Sequence, residues 1–359
     1  MNSSFCSLLF YHLTPHAHSA LAHGVLQSLI VKLLLPHDYI SEASELARHA
    51  KKRIYLLATV VADHPNTHEL IAELEAAAER GVEVVVAGDV FTFGAVIDDF
   101  MPLHYRTPGS RQAQRMARAL KKAGVKFQWL GNRRATFFNG RTHSKWCVID
   151  DAVFCFGGVN IYQKGIDNVD YMFTLNDGRL ADRLIEEQIR LQAAEKELKN
   201  YPSVAYEHGE ETILIDGGVI GQSIIYRRAC ELAEEATEIV FVSQYCPTGK
   251  LSRIIKKNEN ATVYFNPPGL TGGLNRVAIR GSQLISRIKS SYTRKTFLHA
   301  KFIVFTFKDG SKKAITGSHN FAYTGVLLGT REIALETANP KIISQLETFV
   351  EEHVAVTGD

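Results

Sequence analysis

The sequence predicts an α/β fold of two pseudo-twofold-related sheet-and-helix repeats that form one shared active site. A strand–helix–strand unit occurs twice, and a His-x-Lys … Gly-x-x-Asn pattern recurs with it. Composition agrees: 359 residues, 45% apolar and 22% charged, suit a soluble globular chain long enough for two such units. Forty-one Lys and Arg face 38 Asp and Glu, so a net charge near +3 singles out no partner, though it is compatible with an anionic substrate.

Residues 1–34 read as an N-terminal extension. Its apolar stretches, Leu8–Leu13 and Leu21–Leu35, are broken by His12, His16, His18, His23 and Lys32 and parted by Pro15. Neither reaches the roughly 18 uninterrupted residues of a bilayer span. No basic residue precedes Lys32, which argues against a signal peptide. Gly24–Leu35 is expected to form a short amphipathic surface helix or a buried one. The five cysteines, Cys6, Cys147, Cys155, Cys230 and Cys246, are odd in number and lack a C-x-x-C pair. They read as buried free thiols in a reducing compartment, hence a cytoplasmic protein, with peripheral contact at the inner membrane face an added expectation.

The first repeat spans residues 35–205. Arg53–Asp63 is a β-branched run, Glu69–Arg80 places apolar residues at helical spacing, Gly81 stops that helix, and VEVVVAG follows as a strand. The second repeat, 206–359, matches it with Ala236–Tyr245, the short helix Lys250–Lys257 and the strand Ala261–Phe265. Each copy then reaches its polar motif, His143-x-Lys145 with Gly157-Gly158-x-Asn160, and His299-x-Lys301 with Gly317-Ser318-x-Asn320. The copies differ by four residues at the turn, Asp150-Asp151 in one and Lys308-Asp309-Gly310 in the other. Leu180–Leu198 and Ile342–His353 are the expected closing helices, and a polar break near residues 200–212 separates the halves.

On a strand, residues i and i+2 share a face, so each His is expected to project beside its Lys. Core packing accounts for a lone His but not for a repeated His–Lys pair, because burying an unpaired Lys is costly. Phosphoryl chemistry gives every residue work. Lys145 and Lys301 balance anionic charge, and Asn160 and Asn320 donate to non-bridging oxygens. One histidine attacks phosphorus while the other protonates the leaving oxygen and then activates an alcohol or water. The glycines let backbone approach the anion. No cofactor and no metal ion is implied, since a cationic Lys beside each His is a poor neighbour for a metal.

These residues resemble the phospholipase D superfamily, whose signature is H-x-K-x4-D followed by G-[GS]-x-N. The first copy matches through His143, Lys145, Asp150, Gly157, Gly158 and Asn160, and the second through His299, Lys301, Gly317, Ser318 and Asn320, with Thr306 at the Asp position. The resemblance covers roughly residues 35–349 and implies a phosphohistidine intermediate, with the first-copy His143 as nucleophile and His299 as general acid/base. It also implies an acidic partner for each histidine: Asp170 in copy one, ahead of Asp167, and Glu332 in copy two. Asp150 is expected to hold its turn.

The runs GVEVVVAGD and THSKWCVIDDAVFCFGGVNI resemble cardiolipin synthase-like members, which implies an anionic phospholipid and an alcohol or water acceptor. A metal-independent nuclease is the alternative, because Arg111, Arg115, Arg118, Lys121 and Lys122 form a basic helical stretch, followed by Arg133-Arg134, that suits nucleic acid or lipid headgroups equally. An inactive scaffold is the third reading, opposed by the intact motifs. The chain is expected to work as a monomeric two-repeat unit.

Overall fold

The structure, a computed structural model, describes residues 31–95, 108–131, 140–270 and 273–355. Its first half runs β1 (Lys32–Leu34), α1 (Pro36–His49), β2 (Arg53–Ala58), α2 (His68–Glu79), β3 (Glu83–Asp89), α3 (Thr92–Ala95) and α4 (Pro108–Lys122). It continues through β4 (Lys126–Leu130), β5 (Trp146–Ile149), β6 (Ala152–Cys155), α5 (Gln163–Asp167), β7 (Met172–Asn176) and α6 (Gly178–Lys196). The second half begins with β8 (Val204–His208), β9 (Glu211–Gly217), α7 (Ile224–Glu235), β10 (Glu238–Val242), α8 (Gly249–Lys257) and β11 (Ala261–Tyr264). After α9 (Gly273–Ser286) come β12 (Phe302–Thr306), β13 (Lys312–Gly317), α10 (Tyr323–Leu328), β14 (Arg331–Thr337) and α11 (Pro340–Phe349).

The strands make two seven-stranded sheets, in the orders β1-β7-β6-β5-β2-β3-β4 and β11-β10-β12-β13-β14-β9-β8. The second list reversed repeats the first: β9-β14-β13-β12-β10-β11 matches β1-β7-β6-β5-β2-β3, with β8 and β4 as separate additions. In each half two parallel strands lie beside an antiparallel meander, as β2 with β3 and β10 with β11. The matching order therefore includes the three-residue strand β1, just ahead of residue 35.

Both faces of each sheet are covered, which is why the central strands are apolar without alternation. Helices α1, α2 and α4 pack one side of the first sheet, around Tyr39, Leu70, Leu74 and Leu120. Helices α7 and α8 do the same for the second, around Ile225, Cys230, Leu251 and Ile255. Between the sheets lie α6 and α11, whose Leu184, Leu191, Leu346 and Phe349 join side chains from both halves in one core. The halves also exchange contacts, since Gln345 of α11 accepts from the Leu33 N–H and donates to the Val31 carbonyl.

Several expectations change in detail. Lys32–Leu34 is a strand paired with β7, not part of a helix, and residues 24–30 lie outside the described residues. The expected polar break contains the hairpin β8–β9, an edge of the second sheet. Cys147, Cys155, Cys230 and Cys246 are buried free thiols, as expected, and Cys6 lies outside the described residues. Asp150 takes a left-handed turn at φ 52° and accepts the N–H groups of Lys51, Lys52 and Arg53, so it holds the hairpin to β2. Among the described residues no helix is long and apolar enough to cross a membrane.

Candidate active site

The two His-x-Lys segments are not in strands. They occupy the extended lead-ins to β5 and β12, where the halves meet. There the backbones bond across the pseudo-dyad: His143 and Ser144 N–H donate to the Arg331 carbonyl, and His299 and Ala300 N–H donate to that of Val169. Isolated parallel bridges join Thr142 to Arg331 and Val169 to Leu298. Each lead-in is also tethered to its own half. Arg141 pairs with the buried Asp89 at 3.2 Å, and Asn266 exchanges two hydrogen bonds with the backbone of Leu298.

This crossing decides the carboxylate partners. Asp170 follows Val169 and therefore lies beside the histidine of the other half, with Oδ2 2.6 Å from His299 Nδ1. Glu332 follows Arg331 and reaches His143 Nδ1 at 3.1 Å. Both acidic residues expected from the sequence are present, but each serves the opposite repeat, whereas Asp167 is not the partner of either. A carboxylate can only accept, so each imidazole carries its proton on Nδ1 when neutral and leaves the Nε2 lone pair for the gap.

The second residue of each Gly-x-x-Asn motif backs one of these carboxylates. A Cβ on Gly158 would sit 2.7 Å from both Asp170 carboxylate oxygens, so a side chain there expels the carboxylate. In the second copy the matching Ser318 donates its hydroxyl to Glu332 Oε2 at 2.5 Å. Sequence reasoning did not assign Ser318 this task, although the Gly/Ser difference at one motif position was its visible trace.

Lys145 and Lys301 are both buried, at 3% and 1% exposure. Lys145 donates to Thr59 Oγ1 at 3.0 Å and to the His143 carbonyl, while Lys301 donates to the carbonyl of His299. Asp170 and Glu332 lie close enough to act electrostatically on both lysines. Asn160 uses its side-chain carbonyl to accept from the Val60 N–H, leaving its amide N–H groups for a ligand. Asn320 Oδ1 is buried and has no hydrogen-bond partner. Thr59 and Ser243, which directly follow β2 and β10, support the site in ways no motif announced: Ser243 donates to the Asn320 carbonyl. His319 is a third histidine near the site, and this one is buried, its Nδ1 accepting from the Phe321 N–H. Burial pushes it down to about 4, against the opposing effect of Glu332.

Desolvation lowers Lys301 to about 7 and Lys145 to about 8, with the nearby carboxylates opposing the shift. Burial, reinforced by Lys301, brings His299 to about 4. A bound oxyanion would favour the charged lysines that burial disfavours. Inorganic tungstate or phosphate should therefore bind more weakly as pH rises through 7–8 and the ammonium groups are lost. Calorimetry should show roughly a tenfold loss per pH unit there for each lysine that must be charged. The unliganded fold responds with opposite sign. Between about 7 and the unfolded lysine value, the native state binds fewer protons than the unfolded one, so these lysines add stability as pH rises. Oxyanion affinity that is flat from pH 6 to 9 would exclude the lysines as its ligands.

Residues 44–191 match the family model described as cardiolipin synthase, PLD-like domain. Over those residues the chain is phospholipase D-like. No curated protein matches it by sequence. Among solved structures, phosphatidylserine synthase from Haemophilus influenzae Rd KW20 superposes with TM-score 0.65 at 13% identity, over 90% of this chain and 86% of that one. Polyphosphate kinase from Porphyromonas gingivalis superposes with TM-score 0.56 at 13% identity, over 89% of this chain and 46% of that one. These likenesses are of fold, and they span both halves of the chain.

Proposed function

We propose that this phospholipase D-like chain is a phosphatidyltransferase or phospholipase, cardiolipin synthase-like, acting on anionic phospholipid through a covalent phosphohistidine. The observation that carries the proposal is the meeting of two His–carboxylate pairs and two buried lysines at one junction between the halves. His143 Nε2 attacks phosphorus and the P–O bond to the leaving alcohol breaks. His299 gives that oxygen a proton, then takes one from the incoming alcohol or water, which displaces His143. Lys145, Lys301, Asn160 and Asn320 hold the non-bridging oxygens as charge builds on them. The matched family model supports lipid as substrate, and so does the fold shared with a phosphatidylserine synthase.

A second reading, a metal-independent nuclease, is favoured by α4, where Arg111, Arg115, Arg118, Lys121 and Lys122 are all exposed. Purified protein should be given labelled phosphatidylglycerol, phosphatidylcholine and single-stranded DNA side by side, with EDTA and without. Turnover of phosphatidylglycerol that survives chelation is expected, and the products distinguish transfer from hydrolysis. Cleavage confined to DNA would replace the lipid reading. Activity lost to EDTA and restored by one divalent ion would replace the all-side-chain mechanism.

A further inference from the structure

Between β11 and the lead-in to His299 the chain makes a long excursion that is closed at its base. Asn266 and Leu298 bond to each other twice, Ser290 Oγ bonds both the N–H and the carbonyl of Phe265, and the Ser291 N–H donates to the Val263 carbonyl. What lies beyond this neck is chiefly α9. Its inner face is seated by Ile279 and Ser286, 0% and 7% exposed. Its outer face is the reverse of an ordinary surface helix. Val277, Leu284 and Ile285, spaced i, i+7 and i+8, are 67%, 78% and 79% exposed. Single exposed apolar residues are commonplace, but three sharing one face are a patch.

The charge carried by this excursion is of one sign. No Asp or Glu occurs between Glu259 and His299, while Arg276, Arg280, Arg287, Lys289, Arg294 and Lys295 fall within that stretch. Apolar side chains on the outer face of a helix, in a stretch of chain that carries cations and no acids, match a membrane surface bearing anionic headgroups. We infer that α9 is a docking element that seats the chain on an anionic lipid bilayer. This rests on the reading of phospholipid as substrate and adds where the enzyme meets it. The short neck from Leu298 to His299 ties the depth of insertion to the position of the reacting imidazole. A headgroup phosphate held at the bilayer surface is thereby presented to the site without the lipid leaving the membrane.

The test uses the full chain and the double variant Leu284→Ser/Ile285→Ser. Binding to mixed phosphatidylglycerol/phosphatidylcholine vesicles should fall about tenfold or more in the variant, and wild-type binding should fall in high salt. Hydrolysis of a dispersed short-chain phosphodiester should be unchanged, which also shows that the variant is folded. As a second reporter, Ile285→Trp should shift its fluorescence to the blue on these vesicles and be quenched by lipids brominated near the headgroup. Vesicle binding that the double variant retains in full overturns the proposal. So does a wild-type dimer that the double variant splits while vesicle binding persists, because a second copy would then be the occupant. Vesicle binding that depends on α9, with no phospholipid turnover under any condition, leaves docking standing and removes the lipid-enzyme reading instead.

Discussion

His143→Ala and His299→Ala should each lower turnover of an unactivated phosphodiester by about four orders of magnitude or more, since neither half-reaction proceeds without both imidazoles. Loss of activity alone cannot separate their roles, but a fast-leaving phosphodiester can. It needs no proton on the leaving oxygen, so His299→Ala should still form the adduct and His143→Ala should not. Label trapped without acid should map to the peptide that contains His143. The geometry suits this order, because the His143 side chain is 26% exposed and its bond to Glu332 is 3.1 Å, against 14% and 2.6 Å for His299 with Asp170. In the unliganded chain burial keeps His299 neutral, at about 4, so its work as an acid depends on the substrate anion countering Lys301 and Lys145. Label on the His299 peptide that persists in His143→Ala would reverse the assignment and keep the two-histidine chemistry.

Much of this arrangement was legible in the sequence because a duplication prints its strands and its polar residues twice. The runs at β2, β3, β10 and β11 and the closing helices α6 and α11 follow from periodicity that local packing preserves. What escaped was set by contacts between distant segments. A three-residue strand such as β1 has no period to read, and its pairing with β7 depends on residues 140 positions away. The His-x-Lys segments read as strand because they are extended and lead into strands, yet their backbone partners belong to the other half. Asp170 and Glu332 were found as residues but not as partners, since only the crossing at Val169 and Arg331 decides which imidazole each meets.

The crossing also explains why the site depends on both halves. Neither half contains a complete His–carboxylate pair, so an isolated repeat would expose an imidazole without its orienting acid. Arg331 reinforces the joint. It is fully buried, pairs with Glu195 at 3.0 Å, bonds the Lys199 carbonyl and Asn200, and presents its own carbonyl to His143. One residue thus links the end of the first half, the lead-in to the first histidine and, through its neighbour Glu332, that histidine's orientation. Removing one partner of such a buried pair typically costs about 3–5 kcal/mol, which makes the joint stiff as well as specific.

Exchange of the carboxylates gives the second large effect. Asp170→Asn and Glu332→Gln should each reduce turnover by about two to four orders of magnitude, because an amide neither fixes the Nδ1–H tautomer reliably nor steadies an imidazolium. Their signatures should differ in a way that pairing within each repeat would invert. Asp170 raises the His299 pKa by charge and by hydrogen bond, so Asp170→Asn should drive that imidazole still lower in an NMR titration and leave the His143 resonances in place. Glu332→Gln should instead change the His143 ring chemical shifts, by removing its carboxylate partner, and should lower His319, whose protonation Glu332 favours. Kinetics should divide along the same line. A fast-leaving phosphodiester bypasses the acid, so it should restore adduct formation in Asp170→Asn far more than in Glu332→Gln, where the nucleophile itself has lost its orienting carboxylate. If Asp170→Asn shifts His143 and blocks adduct formation even with the fast-leaving substrate, the carboxylates serve their own repeats and the crossed site is wrong.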